Sequence, residues 1–371
     1  MTDDRRPPPS TRELAETIPA PRRAGFYQAG EVLLGRYRLD RQLAVGGMGE
    51  VWVATNLPLD QPVGLKLLRR ASRNPAGAER LLREARVAAR LQHRAIVRVF
   101  DAGQTDDHAP FLVMELLKGA DVTDLVHRYG PLDGVRAAQL VVSVLSGLAA
   151  AHAHGVVHRD LKPDNIFLAE LEGGEVQPKI IDFGIAHVAV QASTKLTSPG
   201  MLLGTPEYMS PEQVECRDDI DSRADIWAVG VTLYFLVTGD TPFVGADLPT
   251  LFDAIMEGHV PFPTRARNFD GKLWAILMDC LRRDREDRFQ RAEDLEAVLI
   301  EWLLARGVTD DYAGRPLRKT PAEPSSHVPT SGGGSGRIGS PGGTDRTAET
   351  QTGPSSTLDR AIFSNLKKRI P

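Results

Sequence analysis

An α+β fold, with a small β-rich lobe followed by a larger and mainly helical one, is what the sequence predicts, and three observations predict it. From Tyr37 to about Met114, β-branched and aromatic residues come in short runs broken by turn residues. From about Lys118 to Leu304, apolar residues recur at helical spacing. Both stretches are flanked by Pro/Arg-rich or Gly/Ser/Thr/Pro-rich sequence with too little apolar surface to offset the entropy of ordering.

The elements follow in chain order. Residues 1–30 read as a disordered leader rich in Pro and Arg. The strands are "YRLDRQLA", "EVWVATNL", "PVGLKLL", "VRVFDAG" and "FLVMEL", giving a first lobe of about 37–114. One helix interrupts them, "AERLLREARVAARLQ", with Leu81, Leu82, Ala85, Ala88, Ala89 and Leu91 along its apolar stripe. The second lobe, about 118–304, carries its clearest helices at 137–153, 222–238, 271–282 and 292–304. Gly155, just after His154, closes the first of these, where a glycine relieves the left-handed turn that ends many helices. From about residue 310 to 356 the sequence reads as a flexible tail. In 357–370, Leu358, Ile362, Phe363, Leu366 and Ile370 fall near helical spacing beside Lys367, Lys368 and Arg369, a short amphipathic helix that could dock on the protein itself, a partner or an anionic surface.

Composition narrows the function. The chain has 371 residues, 42% hydrophobic and 25% charged, and a net charge of -4, which argues against a molecule-wide nucleic-acid surface. Cys216 and Cys280 stand far apart, so neither a disulfide framework nor a zinc site is expected. The start "MTDDRRPPPS" lacks the apolar core of a secretory signal. The longest apolar run, Ala137 to His158, is interrupted by Gln139, Ser143, Ser146 and His152 and reads as a buried helix instead of a membrane span. A cytoplasmic protein is expected.

Four motifs carry chemistry. "LAVGGMGEVW", Leu43–Trp52, crowds glycines as if the backbone must approach something closely. It lacks the Gly-Lys-Ser/Thr ending of a P-loop, and the strand-like "EVWVAT" that follows excludes a dinucleotide fingerprint, which needs a helix there. "VGLKLL" buries the stem of Lys66 on a strand, for which Glu84 and a nucleotide phosphate are the expected partners; read alone, a surface lysine and a solvated glutamate are the ordinary alternative. "VVHRDLKPDN" sets Asp160, Lys162 and Asn165 in one loop, where a carboxylate can accept a proton, an ammonium can neutralise phosphoryl charge, and an amide oxygen can bind a hard cation. "KIIDFGIA" then places Asp182 after an apolar strand, where a carboxylate can hold a magnesium ion.

In this order the motifs resemble those of protein kinases, specifically the eukaryotic-like (Hanks-type) bacterial serine/threonine kinases, over about 37–304. The resemblance implies a bilobal protein kinase fold. It implies ATP binding by Leu43, Ala44, Val45, Gly46, Gly47, Met48, Gly49 and Val51 of a glycine-rich loop, with Lys66, Glu84, Met114, Glu115, Leu117 and Asp121. It implies catalysis by Asp160 and Lys162, and Mg2+ (or Mn2+) on Asn165 and Asp182. Arg159, Thr205, Glu212, Asp225 and Arg288 match supporting positions; Arg288 is the expected ion-pair partner of Glu212, and Thr205 is expected to contact the catalytic loop. "HRDLKP" implies Ser or Thr hydroxyls of proteins as acceptors, with no nucleic acid involved. Ala44 stands where the family has its first loop glycine; a positive φ there would cost the methyl about 1–2 kcal/mol, and an extended backbone almost nothing.

Two rival readings are weaker. A pseudokinase usually lacks one of Lys66, Asp160, Asn165 or Asp182, and all four are present. A small-molecule phosphotransferase is not expected to carry "GTPEYMSPE" and "DIWAVG". Between Asp182 and Glu212, Ser193, Thr194, Thr197 and Ser198 are candidate phosphorylation sites from which a phosphate could reach Arg159, added in trans through a transient homodimer.

Overall fold

The computed structural model describes residues 27–46, 49–68, 82, 87, 89–183 and 205–318. Gly47, Met48, Glu84, Ser193, Thr194, Thr197 and Ser198 lie outside the described residues, as do most of the leader and everything beyond Arg318. The described chain divides into two units. One holds the residues up to Arg90 together with Arg98–Leu116; the other holds Leu91–Val97, those from Leu117 to Phe183, and those from Thr205 onward.

The first unit is a six-stranded antiparallel sheet. Its strands are β1 (Val32–Leu33), β2 (Tyr37–Gly46), β3 (Gly49–Asn56), β4 (Gln61–Leu67), β5 (Val99–Gln104) and β6 (Pro110–Met114), in the order β1-β2-β3-β4-β6-β5. Period-two alternation puts Tyr37, Leu39, Trp52, Ala54, Val63, Leu65, Leu67, Phe111 and Val113 into one cluster, with Tyr37 and Phe111 edge to face at 6.0 Å. The expected leader boundary moves inward: Tyr27 packs on this cluster, and its hydroxyl donates to Asp107 at 2.7 Å, so residues 27–30 belong to the packed chain. Of the helix expected over 78–92, Leu82 and Val87 are described and helical.

The second unit is mainly helical, but it also contains a three-stranded sheet not foreseen from the sequence: β7 (Gly119–Asp121), β8 (Ile166–Glu170) and β9 (Val176–Ile180), in order. Only β9 is expected, as the apolar strand ahead of Asp182; β7 is too short and β8 too mixed in composition to announce themselves. The helices are α1 (Val122–Tyr129), α2 (Gly134–His152), α3 (Pro211–Val214), α4 (Arg223–Thr238), α5 (Leu248–Glu257), α6 (Gly271–Cys280) and α7 (Ala292–Leu304). α2 begins ahead of the expected 137 because Asp133 caps it, accepting from the backbone N–H groups of Val135 and Arg136 at 3.0 and 3.2 Å. α2 is long and apolar enough to cross a membrane, yet it is mostly buried in the core beside α4 and α7. α4 is buried all round from Ala224 to Val237 and ends on Gly239 at φ +84, which donates to Phe235 O at 2.8 Å.

The packed chain also outlasts the expected start of the tail at 310. Beyond α7, Val308, Tyr312 and Leu317 pack on the core, and Asp311 is 5% exposed. Gln139 Nε2 donates to Asp310 O at 2.6 Å, and Arg94 lies 3.5 Å from Asp311. A local turn that satisfies its own backbone can pack however polar its composition.

Candidate active site

The loop after α2 is fixed from beneath by one buried carboxylate. Asp225, in the first turn of α4, accepts from the backbone N–H groups of His158 and Arg159, both at 2.8 Å, and pairs with His152 Nε2 at 2.8 Å. Burial alone would raise this carboxyl, but the hydrogen bond and charge of His152, with the other donors, hold it below the usual carboxylate range. Arg159 takes a left-handed conformation, φ +63, and its carbonyl accepts from Gln213 Nε2 at 2.8 Å. A left-handed non-glycine residue in this position needs such over-determination.

On this base the polar side chains converge. Lys162 Nζ lies 3.3 and 3.2 Å from the two carboxylate oxygens of Asp160. Asn165, buried in the 3-10 turn Pro163–Asn165, donates its amide N–H to the Asp160 carbonyl at 2.7 Å and to Asp160 Oδ2 at 3.3 Å. That leaves its side-chain oxygen as the atom able to face a cation. The Asp182 segment is tied to the same loop. Ile181 donates from its backbone to Asn165 O at 2.9 Å, His158 Nε2 bonds Ile181 O at 3.0 Å, and the His158 and Phe183 rings lie 4.9 Å apart. Asp182 itself has φ +62. Asp160, Lys162, Asn165 and the backbone around Asp182 are therefore one bonded group, and the Asn165 amide oxygen and the Asp182 carboxylate are hard donors of the kind that suits Mg2+ or Mn2+.

The remaining sequence-predicted residues lie on other elements. Lys66 is 8% exposed on β4, between Val51 and Leu112 of the neighbouring strands. Met114 ends β6, and Glu115 bonds Arg98 through both its N–H and its carboxylate. Leu43 and Val45 are exposed on β2 at 45% and 57%. Ala44 pairs with Val51 just after a register shift in the β2–β3 pairing and is not among the residues with positive φ, so its methyl carries little left-handed strain. Gly49 has a reason within the protein: at φ +156, a Cβ would meet Leu67 O at 1.7 Å, so strand β4 alone demands glycine. Asp121, assigned to ATP by resemblance, is the N-cap of α1, its carboxylate accepting from Asp124 N at 2.7 Å. Thr205, expected to contact the catalytic loop, makes no side-chain hydrogen bond among the described residues and occupies the N-cap position of the 3-10 turn Pro206–Tyr208.

A second buried ion pair closes the base of the unit. Arg288 NH1 and NH2 meet Glu212 Oε1 and Oε2 at 2.8 Å each, with 0% and 4% of the two side chains exposed. Arg288 also donates to the carbonyls of Arg282, Arg223 and Arg283, so its remaining protons are satisfied. Sequence reasoning missed His152 and Gln213. Both act through partners distant in sequence, and neither sits in a recognisable motif.

Residues 37–300 match the family model described as protein kinase domain. Serine/threonine-protein kinase PknB of Mycobacterium tuberculosis is 34% identical over 273 residues, covering 72% of this chain and 43% of that protein. Serine/threonine-protein kinase pkn2 of Myxococcus xanthus is 36% identical over 334 residues, covering 88% of this chain and 39% of its own length. The chain thus spans less than half the length of these curated relatives. The crystal structure of a mutant PknI kinase domain from M. tuberculosis superposes with a TM-score of 0.60 at 25% identity, covering 75% of this chain and 99% of that one.

Proposed function

The chain belongs to the protein kinase family, and we propose that it transfers the γ-phosphoryl group of ATP to Ser and Thr hydroxyls of proteins, itself included, in cytoplasmic signalling. The observation that carries this reading is the bonded group around Asp160, in which Lys162 and Asn165 both reach the same carboxylate. Asp160 accepts the proton of the attacking hydroxyl, and Asn165 fixes the carboxylate's orientation through Oδ2 and the carbonyl. Lys162 brings its ammonium to the place where the transferring phosphoryl would carry charge. Asn165 and Asp182 would hold the divalent cation, whose chemistry is to neutralise phosphate charge and orient the transferring group.

Arg159 is proposed as the receptor for an activating phosphate. Its Nε is buried without a hydrogen-bond partner, and such a group is costly until an anion reaches it. Autophosphorylation in trans at Thr194 or Thr197, with Ser193 and Ser198 as neighbours, would supply that anion through a transient homodimer.

The test is incubation with ATP and Mg2+ followed by mass spectrometry. The expected outcome is phosphate on Ser or Thr, including the 193–198 stretch, and its loss in Asp160→Asn. Unmodified protein, or full modification of both Lys66→Met and Asp160→Asn, overturns the reading.

A further inference from the structure

Beyond residues 37–300, which match the protein kinase domain, the chain closes a small hairpin that the phosphoryl chemistry does not explain. Asp310 pairs with Pro316, and Gly314 takes the turn at φ +73. Leu317 N donates to Thr309 O and Asp311 N to Arg315 O, both at 2.7 Å. Asp311 Oδ1 accepts from the backbone N–H groups of Ala313 and Arg315 at 2.9 Å each, so the hairpin satisfies its own backbone.

Its polar contacts with the rest of the unit go to two places. On α2, Gln139 Nε2 donates to Asp310 O at 2.6 Å, and the Arg136 guanidinium lies 4.6 Å from the centre of the Tyr312 ring. On the loop Leu91–Val97, Arg94 meets Asp311 Oδ2 at 3.5 Å. Arg315 is within electrostatic reach of the same loop, because burial and then the charges of Arg94, Arg315 and Lys179 hold His93 below its ordinary value. The loop uses that neutral ring: His93 Nδ1 accepts from Ala95 N at 3.3 Å.

Through this loop the hairpin gains a hold on the site. Leu91–Val97 packs with the helical unit, although the residues on either side of it, up to Arg90 and from Arg98, belong to the first. Ile180 of β9 donates to Ala95 O at 2.7 Å and accepts from Val97 N at 2.9 Å. The next residue, Ile181, donates to Asn165 O, its carbonyl bonds His158 Nε2, and Asp182 follows. A run of bonded groups therefore leads from Asp311 through Arg94, the loop and Ile180 to the Asp182 segment. The hairpin end of that run is polar and local, the kind of piece that opens before the unit around it does.

We propose that the hairpin Thr309–Leu317 is a latch on phosphoryl transfer. Closed, it holds the loop Leu91–Val97 and, through Ile180, the Asp182 segment; open, it lets that segment shift and transfer slows. Arg94, Asp311 and Gln139 are then positioning residues, which act through the loop and touch no phosphate. The proposal rests on the kinase reading and adds to it a means of regulating that same site.

The test uses the full chain, with single-turnover transfer from ATP to a Ser peptide and hydrogen exchange measured on the same preparations. Asp311→Asn keeps an oxygen for the hairpin's own N–H groups and removes only the charge that faces Arg94. In Asp311→Asn, Arg94→Gln and Gln139→Leu, transfer should slow by about two- to thirtyfold, the range for residues that modulate a site without touching it. Exchange should quicken at the Leu317 amide and then at those of Val97 and Ile180, while α4 and α7 keep the parental protection. Arg94→Gln and Asp311→Asn together should slow transfer no more than either alone, because both remove one pair. Tyr312→Ala combined with Gln139→Leu should open the hairpin most fully and slow transfer most. Parental transfer in a variant whose Leu317 amide exchanges freely overturns the latch and leaves the kinase reading intact. So does slowed transfer with unchanged exchange at Val97 and Ile180, or a hairpin that stays protected in the combined variant. If the parent protein itself transfers no phosphate, the kinase reading fails and the latch on transfer falls with it.

Discussion

The glycine-rich hairpin and the loop around Asp160 are both assigned to phosphate chemistry by their sequences, but they are built in opposite ways. The hairpin is a backbone object: Leu43 and Val45 are exposed, Ala44 is in strand beside a register shift, and Gly49 is required by the carbonyl of Leu67. The Asp160 loop is a side-chain object, held by Asp225 at two consecutive N–H groups and bonded inward through Asn165 and Lys162. A backbone surface tolerates exchange of side chains wherever clearance allows. A side-chain network does not, because removing one member leaves others buried and unpaired. Substitutions should therefore separate the two regions by size of effect.

The largest effect is expected at the base of the helical unit. Arg288→Ala leaves the Glu212 carboxylate 4% exposed and without its bidentate partner, which should cost about 3–5 kcal/mol, read as a fall in the denaturation midpoint. Burial would raise the Glu212 carboxyl, but the Arg288 hydrogen bonds and charge hold it below the usual range. This pair, like Asp225, therefore contributes stability that is present above the unfolded carboxylate value and lost as pH falls through the lower folded one. A variant as stable as the parent at neutral pH would show that the pair does not hold the unit.

Gly49→Ala comes next and tests the hairpin's own explanation. The added methyl would meet the Leu67 backbone carbonyl, so strand β3 or β4 must shift, at about 1–3 kcal/mol as for other overpacked sites. Hydrogen exchange should locate the loosening at the β3–β4 pairing. Unchanged protection there would return the glycine's purpose to ligand clearance alone.

Glu296 is the exception inside the helical unit, since its side chain has no hydrogen-bond partner among the described residues. Burial, then Glu293 and Asp311 against the opposing charge of Arg94, push its carboxyl up from 4.5 to about 7. The unfolded chain loses this proton first, so stability falls as pH rises from about 4.5 through 7 and is unaffected below that window. Glu296→Gln should thus be more stable than the parent at pH above 7, by on the order of 1 kcal/mol after allowance for screening, and equal to it at acid pH. Equal stability across the whole range would contradict that environment.

Ala44→Gly should have the smallest effect. The residue is in strand β2 and does not have positive φ, so glycine relieves no left-handed strain and mainly loosens the unfolded chain, by a few tenths of a kcal/mol up to about 1. ATP affinity should be unchanged or slightly tighter, measured by titration calorimetry; a large loss would show that the loop is misaligned.

How much of this was legible in the sequence follows the same division. The strands around Lys66 and the helices 223–238 and 292–304 declare themselves by the placing of their apolar residues, because burial on one face or all round leaves its mark on composition. The loop residues Asp160, Lys162 and Asn165 are readable because their spacing is short and their chemistry is dense. What could not be read was the support: His152 on Asp225, Gln213 on the Arg159 carbonyl, and Asp121 turned to capping. Each depends on a partner brought close by the fold, or on a backbone direction that no local pattern encodes. The glycine of "GGMGEVW" shows the converse error, in which a residue legible as a ligand feature has a sufficient cause in strand packing.

The claim that the Asp160 loop performs the chemistry is tested most directly by rapid-quench single-turnover transfer from ATP to a Ser peptide, with ATP affinity measured on the same preparations. Asp160→Asn is conservative in shape and should bind ATP within a few-fold of the parent while the transfer step slows by about 10²–10⁴-fold. Transfer at the parental rate in a variant that binds ATP normally would contradict the account.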